Sequence, residues 1–153
     1  MAGVSDAFTP SAATTARRDD RASFDRAAAY AVLDEALVVH VGFSIDDQPF
    51  VIPMVHGRDG DRLLLHGSVA TRLSRTLARG VPVCVTATLV DGLVIARSQF
   101  HHSINYRSVV VVGTARRLVD EVDAARALEV IVDHVVPGRS TEARPGSRVE
   151  NRQ

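Results

Sequence analysis

The strongest constraint on this chain is a period of two in its apolar residues, which recurs between residues 39 and 118. Its clearest instance is 81–89, where Val81, Val83, Val85, Ala87 and Leu89 alternate with Cys84, Thr86 and Thr88. Side chains two apart share one face of a strand, so such a run offers one face to a core and the other to solvent. Val39, Val41, Phe43 and Ile45 repeat the pattern against His40, Gly42 and Ser44. Between consecutive runs stand Asp46-Asp47, Asp59-Gly60 and Asp91-Gly92, all turn dipeptides. Short strands joined by tight turns predict a mostly β fold with flanking helices. An antiparallel barrel fits this order better than a doubly wound parallel sheet. No GxGxxG follows any of the runs, and no internal repeat is present.

The spacing predicts a helix, a three-strand meander, a second helix, three more strands and a last helix. Ser23 is placed to cap the first helix, which carries Ala27, Tyr30, Leu33 and Leu37 on one face. The meander runs through 39–45, 50–56 and 62–66. Gly67-Ser68 leads into the second helix, with Leu73 and Leu77 on one side and Gly80 to stop it. Strands over 81–89 and 93–98 turn at Asp91-Gly92, and a valine-rich strand covers 106–118. Val122, Ala125, Leu128, Ile131 and Val135 mark the inner face of the last helix. Residues 1–20 read as a flexible arm, 21–137 as the folded domain and 138–153 as a polar tail.

Composition removes several chemistries. The chain has 153 residues, 46% of them hydrophobic, which suits one domain with a sizeable core. All 18 basic residues are arginine, and they balance 18 acidic ones. Without lysine there is no Schiff base for pyridoxal phosphate and no P-loop lysine for a nucleotide. An anion site must therefore use arginine, histidine, hydroxyls or backbone N–H groups. Zero net charge lacks the basic excess usual in a nucleic-acid binder and gives no reason to expect one. The single Cys84 excludes an internal disulfide and a CxxC pair, and its place in an apolar run predicts a buried, inert thiol. No apolar span long enough for a membrane and no secretion signal is visible, so a soluble cytoplasmic protein is expected.

Two segments concentrate polar chemistry. In 64–72 a strand ends at His66, Gly67 and Ser68 follow, and a helix start brings Thr71 and Arg72. Hydroxyls, a forked cation and unpaired N–H groups together suit phosphate; an ordinary helix cap with a surface arginine explains the same residues. In 96–108 the run from Arg97 to Ser108 packs polar and aromatic groups between two apolar strands. It reads equally as a functional connection or as a solvated loop. His66, His101 and Tyr106 are candidates for acid–base work. No HExxH spacing points to a metal, adjacent His101 and His102 point to opposite faces of an extended segment, and no GxSxG elbow supports a hydrolase.

These segments carry a resemblance. HGSVATRL at 66–73 and ARSQFHHSINYRSVVVVG at 96–113, within the span 29–118, resemble the pyridoxamine 5'-phosphate oxidase-related flavoproteins, in particular the nitroimidazole-resistance-like branch. The resemblance implies an antiparallel split β-barrel, usually a homodimer, with FMN in clefts at the subunit interface. It implies that Val51, Ile52, Pro53 and Met54 line the flavin ring, that His66, Gly67 and Ser68 approach the ribityl chain or phosphate, and that Thr71 and Arg72 hold the phosphate. Ser98, Tyr106, Arg107 and Ser108 would complete the pocket, from the partner subunit if the interface is shared. Arginine here replaces the lysine that many members use, keeping the charge.

The implied activity is an FMN-dependent oxidoreductase acting on a small molecule, with a reduced nicotinamide as donor. The alternative is a non-catalytic flavin- or haem-binding protein of the same fold, with His66 or His101 as an axial ligand. Members of the branch continue beyond Arg144-Pro145-Gly146 with a further strand, so 138–153 is expected to be a truncated end that leaves a barrel edge uncovered.

Overall fold

A computed structural model describes residues 6–68, 71–147 and 150. Residues 1–5 of the predicted arm, Val69 and Ala70 before the second helix, and 148, 149 and 151–153 of the predicted tail lie outside the described residues. Five strands form one antiparallel sheet: β1 (Val38–Ile45), β2 (Gln48–Asp59), β3 (Arg62–Leu65), β4 (Pro82–Val94) and β5 (Ser103–Thr114). Their spatial order is β3-β2-β1-β4-β5. Helices α1 (Arg26–Glu35), α2 (Arg72–Leu77), α3 (Glu121–Val135) and α4 (Arg139–Glu142) flank it. The mostly β, antiparallel architecture is the one that the periodicity predicts. Among the described residues no helix is long and apolar enough to cross a membrane.

The β1–β2 hairpin is set by its turn. Asp46 and Asp47 both take positive φ, 49° and 62°, the pair of conformations that matches the twist of a two-residue hairpin. That turn fixes the register Val39↔Met54, Val41↔Ile52 and Phe43↔Phe50. Val39 and Val41 are fully buried, and with Val85 and Ala87 of β4 they meet Val32 and Leu33 of α1 and Ala36 just after it in the core.

The C-terminal turn of α1 leaves carbonyls without helical partners. Two histidines satisfy them: His56 Nε2 donates to Leu33 O at 2.9 Å, and His134 Nε2 to Ala36 O at 2.8 Å. The two imidazoles are 4.5 Å apart by ring centroid, so β2, α3 and the end of α1 are tied at one point. Beside it Gly57 lets α3 approach the sheet, since a Cβ there would lie 3.1 Å from Ile131 N, Cα and Cγ1.

Four expectations need correction. Asp91-Gly92 does not turn the chain; β4 continues to Val94, pairing with β5 on both sides. Val90 faces Tyr106 and Gly92 faces Asn105, so Asp91 is one extra residue, a bulge. A DG pair signals a hairpin only when no partner strand holds the residues beyond it, and here Ser103 and Ile104 hold Val94 and Leu93. Cys84 is exposed, not buried: the alternation that buries Val85 and Ala87 sends it to the opposite face. Asp25 caps α1 in place of Ser23, its carboxylate accepting from Ala28 N at 2.7 Å. Strand β5 spans 103–114, starting and ending earlier than the predicted 106–118.

At the ends, residues 6–8 of the arm reach the domain: Ala7 bridges Asp25, and the Phe8 ring meets Tyr30 edge-on at 5.8 Å. In the tail, α4 is tied to α3 through Ser140, whose N–H and hydroxyl both donate to the Asp133 carboxylate at 2.7 Å.

Candidate functional site

The inward face of the β1–β2 hairpin extends past the core and becomes the floor of a cleft of about 510 Å³. Phe43, Phe50, Ile52 and Met54 supply that floor, and Pro53 and Val55 also line it. The wall comes from His66 and Gly67 after β3 and from Thr71, Arg72 and Leu73 at the start of α2. The size lies within the range of small-molecule and cofactor sites, and the lining is of the usual kind, mainly apolar with a few polar groups.

Each polar group on that wall has a distinct role. Thr71 caps α2: its hydroxyl oxygen accepts from Ser74 N at 3.1 Å and lies 2.9 Å from Ser68 O and 3.0 Å from Ser74 Oγ. The hydroxyl is therefore already engaged. Gly67 packs closely, since a Cβ there would meet the side-chain ends Ser74 Oγ at 3.3 Å and Met54 Cε at 3.4 Å. His66 is exposed at the cleft and makes no hydrogen bond among the described residues. Arg72 places its guanidinium carbon 4.4 Å over the Phe50 ring, and no carboxylate pairs with it among the described residues. The Phe50 ring is in turn stacked on Phe43, with centroids 5.6 Å apart and planes 20° from parallel.

The predicted site residues thus divide into two groups. Ile52, Pro53, Met54, His66, Gly67, Thr71 and Arg72 come together in the cleft. Val51 pairs with Gly42, out of phase with the floor residues Phe50 and Ile52, and is 63% exposed; Ser68 contributes its carbonyl to the Thr71 turn. Ser98, Tyr106, Arg107 and Ser108 lie on the far side of the sheet order, on β5 and the connection before it. Ser98 caps a single 3₁₀ turn by accepting from Phe100 N, and Ser108 sits opposite Thr88 in the ladder.

Arg107 is held by two carboxylates. Its Nη1 and Nη2 meet Glu35 at 2.8 and 3.0 Å, while Nε and Nη2 meet Asp91 at 3.1 and 2.8 Å. Each carboxylate is held below its ordinary pKa by that guanidinium, and the arginine is held still more firmly charged, first by Glu35 and then by Asp91. A guanidinium so neutralised ties α1 to the β4 bulge and β5, and is a poor anion ligand within its own subunit. Phe43, Phe50, Val55 and Leu73 are the cleft residues that sequence reasoning missed. The two-residue turn at Asp46-Asp47 contained the signal for the first two, since it sets Phe43 opposite Phe50.

Outside the cleft, His56 is the most deeply buried titratable group, with Nδ1 lacking a partner among the described residues. Burial pushes its pKa down; the Leu33 carbonyl and Asp34 oppose this, and His134 adds to it. Among the described residues no three His, Cys, Asp or Glu side chains gather as metal ligands would.

Comparison with known proteins then decides the family. Residues 25–153 match the pyridoxamine 5'-phosphate oxidase family. The chain belongs to it. Among solved structures, the FAD and haem binding protein from Mycobacterium smegmatis is 36% identical, with a TM-score of 0.75 over 82% of this chain and 60% of that one. The flavocytochrome Anf3 from Azotobacter vinelandii is 38% identical, with a TM-score of 0.83 over 92% of this chain and 66% of that one. A 5-nitroimidazole antibiotic resistance protein from Bacteroides thetaiotaomicron shares the fold, with 23% identity and a TM-score of 0.69 over 84% of this chain and 74% of that one. The chain therefore spans less than two thirds of the length of the first two. No curated protein matches it in sequence. The split-barrel resemblance drawn from the two polar segments stands.

Proposed function

We propose that this chain binds FMN in the cleft over Phe43, Phe50, Ile52 and Met54, and serves an FMN-dependent oxidoreduction of a small molecule. The observation that carries the reading is Arg72: a cation without a counter-charge among the described residues, at the wall of an otherwise apolar cleft. An apolar floor suits the ring of a flavin, and a free guanidinium suits its phosphate, to which it can donate two parallel N–H bonds. Bound flavin supplies hydride or electron transfer. The chain's own share is to hold the phosphate with Arg72, exclude water with the aromatic and aliphatic floor, and offer the His66 imidazole at the cleft wall.

A homodimer completes this reading. Val90, Leu93, Val110 and Val112 of β4 and β5 are 45–71% exposed, and Ile95 and Phe100 beside them are 79% and 89% exposed. An apolar patch of this extent supports an interface. A second copy docked there is the means by which Tyr106 and Ser108 would reach a cleft that they do not line in their own subunit. The proposed setting is cytoplasmic, with a reduced nicotinamide as electron donor.

The test is an absorbance scan of purified protein, cofactor extraction and titration with FMN. Arg72→Ala should weaken FMN binding by about 1–3 kcal/mol; unchanged affinity refutes the phosphate assignment. A second reading is haem binding, favoured by the two structures at 36% and 38% identity, one a haem binding protein and the other a flavocytochrome. Unbonded His66 is the ligand it would use. A Soret band that disappears in His66→Ala supports it, and a colourless protein that takes up neither group refutes both readings.

A further inference from the structure

Three arginines of the described chain lie over aromatic rings: Arg26 over Phe8 at 4.2 Å, Arg58 over Tyr30 at 4.2 Å and Arg72 over Phe50 at 4.4 Å. The first two are also neutralised. Arg26 donates to Asp61 at 2.7 Å, and Arg58 grips both oxygens of Asp34 at 2.8 and 2.6 Å. Arg72 has the ring and no carboxylate among the described residues. A carboxylate holds a guanidinium by occupying its N–H donors, which lie in the plane of the group. A ring holds it through its π-electrons and occupies none of them. Phe50 therefore fixes the direction of Arg72 while leaving its donors and its full charge available.

The ring is itself well placed to do this. It stands on β2 beside a two-residue turn, opposite Phe43 in the ladder, and Phe43 is 93% buried (7% exposed) and stacked beneath it. From these contacts we infer that Phe50 is a specificity-determining positioning residue: it holds Arg72 so that the cleft selects a flavin bearing a terminal phosphate over one without it. This rests on the flavin reading above, and deepens it.

The test compares FMN with riboflavin, which share the ring and ribityl chain and differ in the phosphate. Fluorescence titration of the full chain gives both affinities and their ratio. Loss of floor area by a Phe50 substitution weakens both ligands alike, so only the ratio reports on Arg72. In Phe50→Leu the FMN-to-riboflavin preference should fall about 3- to 30-fold, the range expected from losing a cation–π contact. Phe50→Tyr, which keeps the ring, should restore it. Phe50→Met is the second ringless variant should the leucine variant unfold. If Arg72→Ala abolishes the preference while Phe50→Leu and Phe50→Met retain it, the positioning role is overturned and the phosphate reading survives. If wild type shows no preference, or Arg72→Ala leaves it unchanged, both fall.

Discussion

Gly57→Ala adds a single methyl group and should be among the most damaging small substitutions in this protein. Gly57 lies in β2, opposite Leu64, where α3 crosses the sheet. Its missing Cβ would lie 3.1 Å from Ile131 N, Cα and Cγ1. Comfortable carbon contacts begin near 3.5 Å, so the deficit is about 0.4 Å against three atoms at once. Two of those atoms are backbone and cannot rotate away, so α3 itself must shift. It is held there by buried Ile131 and by the His134 bond to Ala36 O at 2.8 Å, which resist the shift. Overpacking of this kind costs about 1–3 kcal/mol. For a domain of this length about 2 kcal/mol corresponds to a fall in Tm of roughly 4–8 °C. Circular dichroism melting measures it, and urea unfolding should show a lower midpoint with an unchanged slope. Gly113→Ala is the control, because a Cβ there meets nothing within 4 Å. A Gly57→Ala Tm within about 1 °C of that control would refute the argument, since α3 would then yield at no cost.

Other outcomes follow from the same contacts. Because burial holds His56 below its ordinary pKa, the unfolded chain takes up its proton first as pH falls; stability is full above about pH 6.5 and declines below it. Urea midpoints at pH 7.5 and pH 5 should differ, and the difference should shrink in His56→Gln; an undiminished difference would assign the effect elsewhere. Arg107→Ala should lower the melting temperature and its sensitivity to salt without altering FMN affinity in the isolated subunit, because that guanidinium is occupied by Glu35 and Asp91. Sedimentation should give a dimer that Leu93→Asp with Val110→Asp converts to monomer, and a wild-type monomer of full flavin affinity would contradict the shared site.

Much of this was legible in the sequence, because period-two alternation is a local signal. The core valines 39, 41 and 85 and the class of fold follow from it directly. The order of the sheet does not, since pairing of β1 with β4 joins residues more than 40 apart. The fate of Asp91-Gly92 was hidden for the same reason: only the presence of β5 across from it makes a bulge of what looks like a turn. Arg72 and Thr71 were visible as a phosphate-suited pair, but the sequence could not say that Thr71 is consumed by capping while Arg72 is left without a counter-charge. Arg107 shows the converse. Its neutralisation depends on Glu35, which is 72 residues away along the chain.

The bulge in β4 gives a single residue two tasks. Before it, odd-numbered residues such as Val85 and Ala87 face the core; beyond it the phase is reversed, and Leu93 points outward, 71% exposed, alongside Val90. The same extra residue supplies one of the two carboxylates on Arg107. Drawing Asp91 into the ladder as an ordinary paired residue would thus turn Leu93 toward the interior, strip the apolar face of one of its larger side chains and half-release the arginine. Loss of the codon for Asp91 would instead restore plain alternation and keep Leu93 outward beside Val90, yet would still take from Arg107 one of its two carboxylates, so the length of this strand is tied to that ion pair.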